Sequence, residues 1–380
     1  MKKVAIVSQS IDLYGSSQVT IFAAQEASRE GWDVSVVLPG DGPLSEKLRN
    51  MNVDVVYAEV PSLRRALLRS RPIPELMYIA RAMRSFRKLA VVRGASVIHV
   101  VCSTNLAAYS LTRATRRKKV VWSIHEDLSS TWLGRGLAHI VSFAGARTVA
   151  CASSYVRDCL PKRLRLRARV IHSGTSIPAS SPGKFEWPFI EIDGVTKIAC
   201  VGRLNAWKGQ DILVESIATL RDRGVRSQVA IVGDVFPGDH DWRSEIETSI
   251  ERHGLRDQVI LTGHIESAWR AFTAADIAVV PSKRPEPFGK VVIEAMLLGR
   301  PVVATRAGGP IEVITDGEDG YLAEMGDASD MADTLLRVIE ARAQWSEIGL
   351  RAQERGKEFS AHRCGVAYEK AYSEAAREGR

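Results

Sequence analysis

Residues 276–296 read DIAVVPSKRPEPFGKVVIEAM, and this segment divides into a strand, a loop and a helix. The run DIAVVPS has the apolar, β-branched composition of a buried strand, and the two prolines after it make the loop rigid. Gly289 then opens an apolar helix. Glu286 lies in the loop and Glu294 lies inside the helix, eight residues later. The segment predicts one strand-loop-helix unit of a parallel sheet, with one carboxylate before the helix and one within it.

The same alternation of apolar strands with amphipathic helices runs along the whole chain in two consecutive series. Such alternation predicts parallel sheets that are covered by helices on both faces. The segment SIPASSPGKFEWPF, rich in Ser, Pro and Gly, separates the two series. The predicted strands of the first series are KKVAIVSQS, WDVSVVLPG, SVIHVVC, KKVVWSI, RTVACA and ARVIHSG, and those of the second are TKIACVGRL, QVAIVGD, QVILTG, DIAVVPS, RPVVAT and GYLAEM.

These two series predict an α/β protein of two doubly wound domains, the first over residues 1–180 and the second over 190–360. In open parallel sheets, ligands bind beyond the carboxyl ends of the strands. With two such domains, we expect the ligand site in the cleft between them. Functional residues should therefore lie on the loops that follow strands.

Composition limits the class of protein. The chain has 380 residues, of which 45% are hydrophobic and 25% charged, as in ordinary globular proteins. Its five cysteines are scattered, which argues against a disulfide framework or a zinc site and favours a reducing compartment. No apolar run approaches the roughly 20 residues of a membrane-spanning helix. We expect a cytoplasmic protein.

The net charge of +8 is unevenly distributed. Residues 1–180 contain 27 Lys and Arg against 12 Asp and Glu, a net +15, which leaves −7 for the rest. Within this half, residues 61–93 carry nine basic residues and one acidic residue, interleaved with Leu, Met, Ile and Phe. This pattern fits a basic surface that contacts an anionic membrane, and equally a pair of ordinary helices with snorkelling arginines. The pattern favours each of these two interpretations over a surface that binds nucleic acid.

Glu286 and Glu294 have a chemical interpretation. The backbone N–H groups at the helix start near Gly289 are unpaired, and they suit a phosphate. Glu286, just before them, could bind a hydroxylated group. Glu294 could accept hydrogen bonds from both hydroxyls of a ribose. The alternative is an ordinary loop glutamate and an ordinary helix glutamate, but a carboxylate in the apolar helix VVIEAMLLG needs a partner.

A second loop, VGRLNAWKGQD at 201–211, carries Arg203 and Lys208 after a predicted strand. Two cations at this edge could neutralise a diphosphate leaving group without a metal ion. The alternative is a pair of surface charges. The segment PGDHDWRSE at 237–245 is a weak metal candidate, because Asp241 also fits as the N-cap of a helix starting at Trp242.

The first domain offers two further candidates. Gly15, Ser16 and Ser17 follow the first strand and form a small-residue turn that could bind phosphate, although a plain helix cap by Ser16 or Ser17 is the alternative. His125 lies at the carboxyl end of VVWSI. A neutral imidazole there could donate to or accept from a sugar hydroxyl.

These residues together resemble the retaining glycosyltransferases of family 4, whose GT-B fold has two Rossmann-like domains facing each other across a cleft. The G-R-x5-K-G element of that family corresponds here to Gly202, Arg203, Lys208 and Gly209. The E-x-F-G-x4-E element corresponds to Glu286, Phe288, Gly289 and Glu294, and RPVVATRAGGPIEVITDGEDGYL is similar to its usual continuation. The resemblance covers nearly the whole chain.

The resemblance implies a role for each of these residues. Arg203 and Lys208 would bind the donor diphosphate, with help from the amides of Gly289 and Lys290. Glu286 would bind the hydroxyls of the transferred sugar, and Glu294 the ribose. The remaining implied contacts are His125 near the reacting carbon, the backbone of His264 and Ile265 at the base, Phe288 beside the donor, and the Gly15–Ser16 turn at the diphosphate.

Two positions depart from the family pattern. The first-domain turn is usually Gly-Gly followed by a small residue, and here it is Gly15-Ser16-Ser17. The strand that ends the first domain usually runs into Asn-Gly, and here it runs into Ser173-Gly174. The resemblance also implies that the C-terminal helix, at about 361–380, packs back on the first domain.

The expected function is transfer of a sugar, with retained configuration and without a metal or other cofactor, from a nucleoside-diphosphate sugar. UDP-sugar is favoured and GDP-sugar is the alternative donor. The expected acceptor is lipid-linked or a polysaccharide, and the expected location is the cytoplasm, on the inner face of a membrane. Two alternatives stay open: a sugar-nucleotide epimerase, for which Glu126 and Asp127 are the only obvious acid/base pair, and a non-catalytic protein that binds sugar nucleotides.

Overall fold

The computed structural model describes residues 2–13, 15–62, 72–102, 119–129, 134–136, 138, 148–177, 183–235, 240–265 and 267–377. The chain divides into two compact units. Unit 1 comprises Met1–Gly174 with Ser360–Arg380, and unit 2 comprises Thr175–Phe359. Each unit has a parallel sheet and its own hydrophobic core, and each is described by itself below.

The sheet of unit 1 has the strand order β3-β2-β1-β4-β5-β6-β7, and its neighbouring strands pair in parallel. Its inner strands are almost continuously apolar, because helices cover both faces. The strands are β1 (Lys3–Val7), β2 (Asp33–Leu38), β3 (Asp54–Tyr57), β4 (Val97–Val101), β5 (Lys119–Ile124), β6 (Thr148–Cys151) and β7 (Ala168–Val170).

The described helices of unit 1 connect these strands, and the last of them comes from the end of the chain. Long α1 ends at Arg29, just before the left-handed Gly31. The helices are α1 (Ser16–Arg29), α2 (Pro43–Arg49), α3 (Pro72–Phe86), α4 (Ala90–Gly94), α5 (Ser154–Asp158), α6 (Lys162–Arg165) and α14 (Ala361–Arg377).

Helix α14 is part of the core of unit 1. Its side chains Tyr368 and Tyr372 are fully buried, and they surround His99 of β4. The Tyr372 hydroxyl lies 2.6 Å from Nδ1 of His99, and Nε2 of His99 contacts Ser123 of β5. Burial, together with the charge of His125, lowers the pKa of His99 to about 3, so this imidazole is neutral at physiological pH.

The sheet of unit 2 has the order β10-β9-β8-β11-β12-β13, again parallel between neighbouring strands. From β8 the chain adds β9 and β10 on one side of the sheet, and then β11, β12 and β13 on the other side. The point between β8 and β11, where this order reverses, is where doubly wound sheets bind ligands. The strands are β8 (Thr196–Val201), β9 (Ser227–Val232), β10 (Val259–Gly263), β11 (Ile277–Val280), β12 (Val302–Thr305) and β13 (Tyr321–Ala323).

Unit 2 has helices on both faces of its sheet. They are α7 (Gln210–Asp222), α8 (Trp242–Arg252), α9 (Ala268–Ala274), α10 (Lys290–Leu297), α11 (Pro310–Val313), α12 (Ala328–Glu340) and α13 (Trp345–Lys357), with a 3-10 turn at Arg342–Gln344. The prediction of two doubly wound α/β domains is confirmed. Within the described residues, no helix is both long and apolar enough to cross a bilayer.

Candidate active site

Two loops of unit 2 meet at the reversal point of its sheet. One follows β8 and carries Lys208, and the other follows β11 and carries Glu286; these strands are neighbours. The backbone N–H of Lys283 donates to the carbonyl of Trp207 at 2.8 Å. A Cβ at Gly209, where φ is +71°, would lie 1.8 Å from the carbonyl oxygen of Pro281. Only glycine therefore allows the loops to lie this close.

An ion pair joins the same two loops. Lys208 Nζ lies 2.7 Å from Glu286 Oε1, and Ser282 Oγ donates to the same oxygen at 2.5 Å. Glu286 is only 5% exposed, and Lys208 Nζ also lies 4.3 Å from the centre of the Trp207 ring. A buried carboxylate needs such partners, and these hold it as an acceptor in a defined orientation.

A third loop, after β12, fixes the backbone around Glu286. The N–H of Gly309 donates to the carbonyl of Glu286 at 2.8 Å. A Cβ at Gly308 would lie 2.2 Å from that carbonyl oxygen, and a Cβ at Gly309 would lie 2.3 Å from the Cα of Phe288. The Gly-Gly pair thus permits direct backbone packing. Sequence reasoning assigned it no role, although two adjacent glycines after a strand are a signal for close approach.

Helix α10 begins at the end of the Glu286 loop. Gly289 is its N-cap with φ at +82°, a left-handed conformation that favours glycine. Phe288 is buried, and its ring meets Phe359 edge to face with centroids 5.8 Å apart. Lys290 is half-buried at the first position of the helix. The first-turn N–H groups of α10, which have no partner within the helix, are therefore held in place by the anchored loop that precedes them.

Glu294 lies in the second turn of α10. Burial raises the pKa of its carboxyl to about 7, against the opposing effects of the Lys290 charge and a hydrogen bond with Thr175. The carboxyl is therefore close to half-protonated at neutral pH. A group in this state responds strongly to any ligand that donates hydrogen bonds to it.

The other predicted residues of unit 2 lie on the loops after β8 and β10. Arg203 lies two residues after the end of β8, is exposed, and its carbonyl accepts a hydrogen bond from Gln210 Nε2 at 3.0 Å. His264 and Ile265 follow β10, which β9 separates from β8. The structure therefore brings together the β8 and β11 loops and α10, and it places His264 and Ile265 two strands away along the same edge.

In unit 1, His125 directly follows β5. Its Nδ1 lies 3.4 Å from Oγ of Ser173, a buried residue. The next residue, Gly174, packs against the start of α14, where a Cβ would lie 2.8 Å from Cα of Ala361. Ser173, which departs from the family pattern, thus contacts the predicted site histidine from a tightly held segment. Its residue type alone carried no signal of this.

Asp127 anchors the loop after His125. Its carboxylate accepts hydrogen bonds from the backbone and hydroxyl of Ser129, at 2.7 and 2.6 Å, and from the Tyr155 hydroxyl at 2.9 Å. Burial opposes ionisation of Asp127, but these hydrogen bonds together lower its pKa below the ordinary value. Asp127 is therefore a structural acceptor in this loop.

The Gly15 turn opens α1. Gly15 is the N-cap, with φ at +52°, and none of the described side chains caps the helix. Because the helix begins at Ser16, neither Ser16 nor Ser17 stands at the N-cap position, and the alternative of a helix N-cap by one of them is wrong. Ser16 is the first residue of α1, and its side chain lies outside the described part of the structure.

The weak metal candidate near 240 has a structural role instead. Asp241 caps α8 by accepting a hydrogen bond from the N–H of Ser244, whereas Asp239 lies outside the described residues. In the described part of the chain, no group of three or more His, Cys, Asp or Glu side chains is arranged to hold a metal ion.

Comparison with known sequences assigns the chain to a family. A model of the family described as Glycosyltransferase Family 4 matches residues 14–177, and one described as Glycosyl transferases group 1 matches residues 186–357. The chain belongs to the family 4 glycosyltransferases. This confirms the resemblance that the sequence motifs indicate.

Two curated relatives illustrate the similarity of this family 4 glycosyltransferase. An uncharacterised glycosyltransferase of Methanocaldococcus jannaschii is 28% identical over 229 residues, which cover 60% of this chain and 59% of the relative. A D-inositol 3-phosphate glycosyltransferase of Corynebacterium jeikeium is 33% identical over 182 residues, which cover 47% of this chain and 43% of the relative. The chain thus spans about half the length of these relatives.

Two solved structures share the fold of this family 4 chain. Anabaena HepE, whose structure was determined with UDP, has a TM-score of 0.76 at 21% identity, over 98% of this chain and 100% of HepE. The sucrose-phosphate synthase of Thermosynechococcus elongatus has a TM-score of 0.74 at 19% identity, over 98% of this chain and 99% of the synthase. Both support the GT-B fold.

Proposed function

We propose that the chain transfers a sugar from a nucleoside-diphosphate sugar to an acceptor hydroxyl, with retained anomeric configuration and without a metal ion. The observation that carries the proposal is the Lys208–Glu286 pair at the reversal point of the unit 2 sheet. It places a cation and an oriented carboxylate at the edge where such sheets bind nucleotides.

The diphosphate of the donor would bind at the β8 loop and the start of α10. Arg203 and Lys208 would neutralise its charge, and the N–H groups of Gly289 and Lys290 would donate to its oxygens. In unit 1, the Gly15–Ser16 turn would contribute further backbone donors. Because Lys208 is already held by Glu286, its ammonium group would be oriented before the donor arrives, which lowers the cost of binding.

The sugar of the donor would bind to the carboxylate of Glu286, and its nucleoside to the carboxylate of Glu294. Glu286, with one oxygen fixed by Lys208 and Ser282, would accept hydrogen bonds from the sugar hydroxyls. Glu294 would accept hydrogen bonds from the ribose hydroxyls, and the buried Phe288 would lie beside the donor. The backbone at His264 and Ile265 would meet the base, and His125 would donate to or accept from a hydroxyl near the reacting carbon.

The reaction exchanges one bond for another on the same face of the sugar. The bond between the anomeric carbon and the phosphate oxygen breaks, and its electron pair stays with the phosphate. The acceptor oxygen then bonds to the anomeric carbon, and its proton passes to a phosphate oxygen. Arg203 and Lys208 would stabilise the charge that develops on the leaving diphosphate. Electrostatic stabilisation of this kind is usually the largest single contribution to catalysis.

UDP-sugar is the favoured donor, with GDP-sugar as the alternative. HepE, which shares the fold, was crystallised with UDP, with UDP and glucose, and with UDP-glucose. For the acceptor we propose a lipid-linked or polysaccharide hydroxyl. One fold neighbour, WaaB, is named as a lipopolysaccharide outer core galactosyltransferase, and it has a TM-score of 0.71 at 17% identity.

We further propose that the protein works in the cytoplasm, peripherally on the inner face of a membrane, with residues 61–93 as one basic contact. This part of the proposal rests on the sequence pattern, since residues 63–71 lie outside the described structure. The epimerase alternative is less favoured, because the hydrogen bonds of Asp127 keep it ionised within its own loop. A non-catalytic protein would bind the donor without consuming it.

A direct experiment incubates the purified protein with UDP-sugars and GDP-sugars in EDTA, together with lipid-linked and saccharide acceptors. We expect nucleoside diphosphate release that depends on the acceptor, and a product whose anomeric coupling by NMR matches that of the donor. Inverted configuration would exclude the retaining mechanism, and full loss of transfer in EDTA would exclude metal independence. Conversion of the donor to its epimer would support the epimerase alternative.

A further inference from the structure

A short basic segment at the edge of unit 1 is not used by the proposed transfer reaction. We name residues 162–169, KRLRLRAR, the basic turn. It contains five cations and no acidic residue. It forms α6 and leads into β7, the edge strand of the sheet. All five cations are exposed: Lys162, Arg163, Arg165, Arg167 and Arg169.

An apolar side chain projects from the middle of the basic turn. Leu166 is 80% exposed and is flanked by Arg165 and Arg167, whereas Leu164, two residues earlier, is 1% exposed. The buried leucine fixes the turn to the core of unit 1. A single exposed leucine is common on protein surfaces, but one surrounded by exposed cations has the composition of a membrane contact.

Three of these cations are not neutralised by the protein's described residues. Arg169 pairs with Glu374 of α14. By contrast, no described acidic side chain forms an ion pair with Lys162, Arg165 or Arg167. Charged side chains at an edge strand also protect it from pairing with other sheets. Protection of the edge strand accounts for Arg169 in β7. It does not account for Leu166, because an exposed apolar side chain beside an edge strand favours association with other molecules.

We propose that the basic turn binds an anionic lipid bilayer, with Leu166 entering the interface and Lys162, Arg165 and Arg167 at the headgroup phosphates. The turn contains no aromatic residue on which a nucleic acid base could stack, and its apolar group is aliphatic, which favours lipid over RNA. The proposal deepens the membrane location in the proposed function and rests on it for its purpose. The binding itself needs neither donor nor transfer.

The test is co-sedimentation of the full chain with vesicles of phosphatidylcholine alone and of phosphatidylcholine mixed with phosphatidylglycerol. We expect binding to the anionic vesicles, weakening as salt is raised. Each cation near an anionic surface changes the partition coefficient about fivefold, so Arg165→Gln/Arg167→Gln should lower it on the order of 25-fold. Leu166→Ser should lower it while leaving its salt dependence unchanged.

Matched controls separate the turn from general charge and general apolarity. Arg363→Gln/Lys370→Gln removes two exposed cations from α14, and Leu350→Ser removes a leucine that is 65% exposed in unit 2. Both controls should bind vesicles like the unmodified protein. Calorimetric titration with UDP, without vesicles, should give the same affinity for every variant, which shows that each is folded.

Four results would overturn the proposal. The turn variants could bind vesicles as well as the unmodified protein, or the control variants could lose as much vesicle binding as the turn variants. Vesicle binding could be lost only in Arg84→Gln/Arg87→Gln of the 61–93 segment. The unmodified protein could also bind single-stranded RNA and not vesicles. The UDP titration keeps the two proposals distinct. Vesicle binding that fails while UDP binds removes the basic turn and the membrane location but leaves the donor site. UDP binding that fails while vesicles bind removes only the donor site.

Discussion

Lys208 Nζ donates to Glu286 Oε1 at 2.7 Å, and this contact joins two loops that are 78 residues apart in the sequence. Both residues are largely inaccessible, with side-chain exposures of 19% for Lys208 and 7% for Glu286. The pair exists because β8 and β11 are neighbours in the sheet. It brings together Lys208, the residue predicted to bind the diphosphate, and Glu286, the residue predicted to bind the sugar.

The first prediction concerns the coupling between these residues. Lys208→Met leaves a buried carboxylate without its cation, so we expect a loss of about 3 kcal/mol in the free energy of unfolding, as for other broken buried pairs. Glu286→Gln should rescue part of that loss in the double variant, with a coupling energy of roughly 1–3 kcal/mol. Urea unfolding of the four proteins measures it. Strictly additive effects would mean that the pair is not energetically coupled.

The second prediction separates sugar recognition from nucleotide binding. Glu286→Gln replaces a charged acceptor by a neutral amide and leaves the phosphate contacts in place. We expect kcat for transfer to fall on the order of 100-fold, with UDP affinity changed less than about threefold. Glu215→Gln, at an exposed position of α7, is a carboxylate control outside the proposed site. An unchanged kcat in Glu286→Gln would remove Glu286 from the reaction.

The third prediction follows from the raised pKa of Glu294. A carboxyl whose pKa is about 7 in the folded state and 4.5 in the unfolded state binds its proton more tightly when folded. Its contribution to stability is therefore fully present below pH 4.5 and is lost as the pH rises through 7. Glu294→Gln should remove this pH dependence. The free energies of unfolding of the two proteins, measured against pH, should therefore converge at low pH and separate toward pH 8. Parallel pH profiles would contradict it.

The same group should couple UDP binding to protons. Ribose hydroxyls donate to the ionised carboxylate, so the ligand should lower the pKa of Glu294 and release protons near pH 7. Calorimetric titration in buffers of different ionisation enthalpy measures that release. Glu294→Gln should abolish it and weaken UDP binding. Binding without proton release in the unmodified protein would place the ribose elsewhere.

Much of this organisation could be predicted from the sequence, because it depends on local patterns. Runs such as DIAVVPS mark buried strands by their β-branched residues, and the loops after them carry Arg203, Lys208 and Glu286. The direct contact between Lys208 and Glu286 could not be predicted from these patterns. It depends on a crossover that places β11 beside β8, and on a backbone approach that Gly209 permits.

Other features required the three-dimensional burial. The apolar neighbours of Glu294 predict that its carboxyl needs a partner, but the raised pKa of that carboxyl depends on how the surrounding structure buries it. The role of the Gly308-Gly309 pair depends on which backbone it meets, and that partner lies more than 20 residues earlier in the chain. Ser173 was recognised only as a departure from a family pattern, and its contact with His125 depends on how the strands of unit 1 are ordered.

The fourth prediction tests the backbone packing at Glu286. Gly308→Ala would place a Cβ 2.2 Å from the carbonyl oxygen of Glu286 in addition to straining a residue whose φ is +70°. Gly317→Ala is the matched control, since its φ is +80° and nothing lies within 4 Å of the added Cβ. We expect Gly317→Ala to cost about 1 kcal/mol of stability with transfer unchanged. Gly308→Ala should cost more and lower kcat. Equal effects on stability and kcat would show that the close approach does not matter.

The most direct test of the central claim, that unit 2 binds a nucleoside-diphosphate sugar through Lys208 and Glu286, is a thermal-shift panel. It compares UDP, GDP, ADP and CMP in EDTA, on the unmodified protein, Lys208→Met and Glu286→Gln. The account predicts a rise in Tm with one nucleoside diphosphate, UDP foremost, that Lys208→Met loses and Glu286→Gln keeps. No rise with any nucleotide, or a rise that Lys208→Met leaves intact, would contradict it.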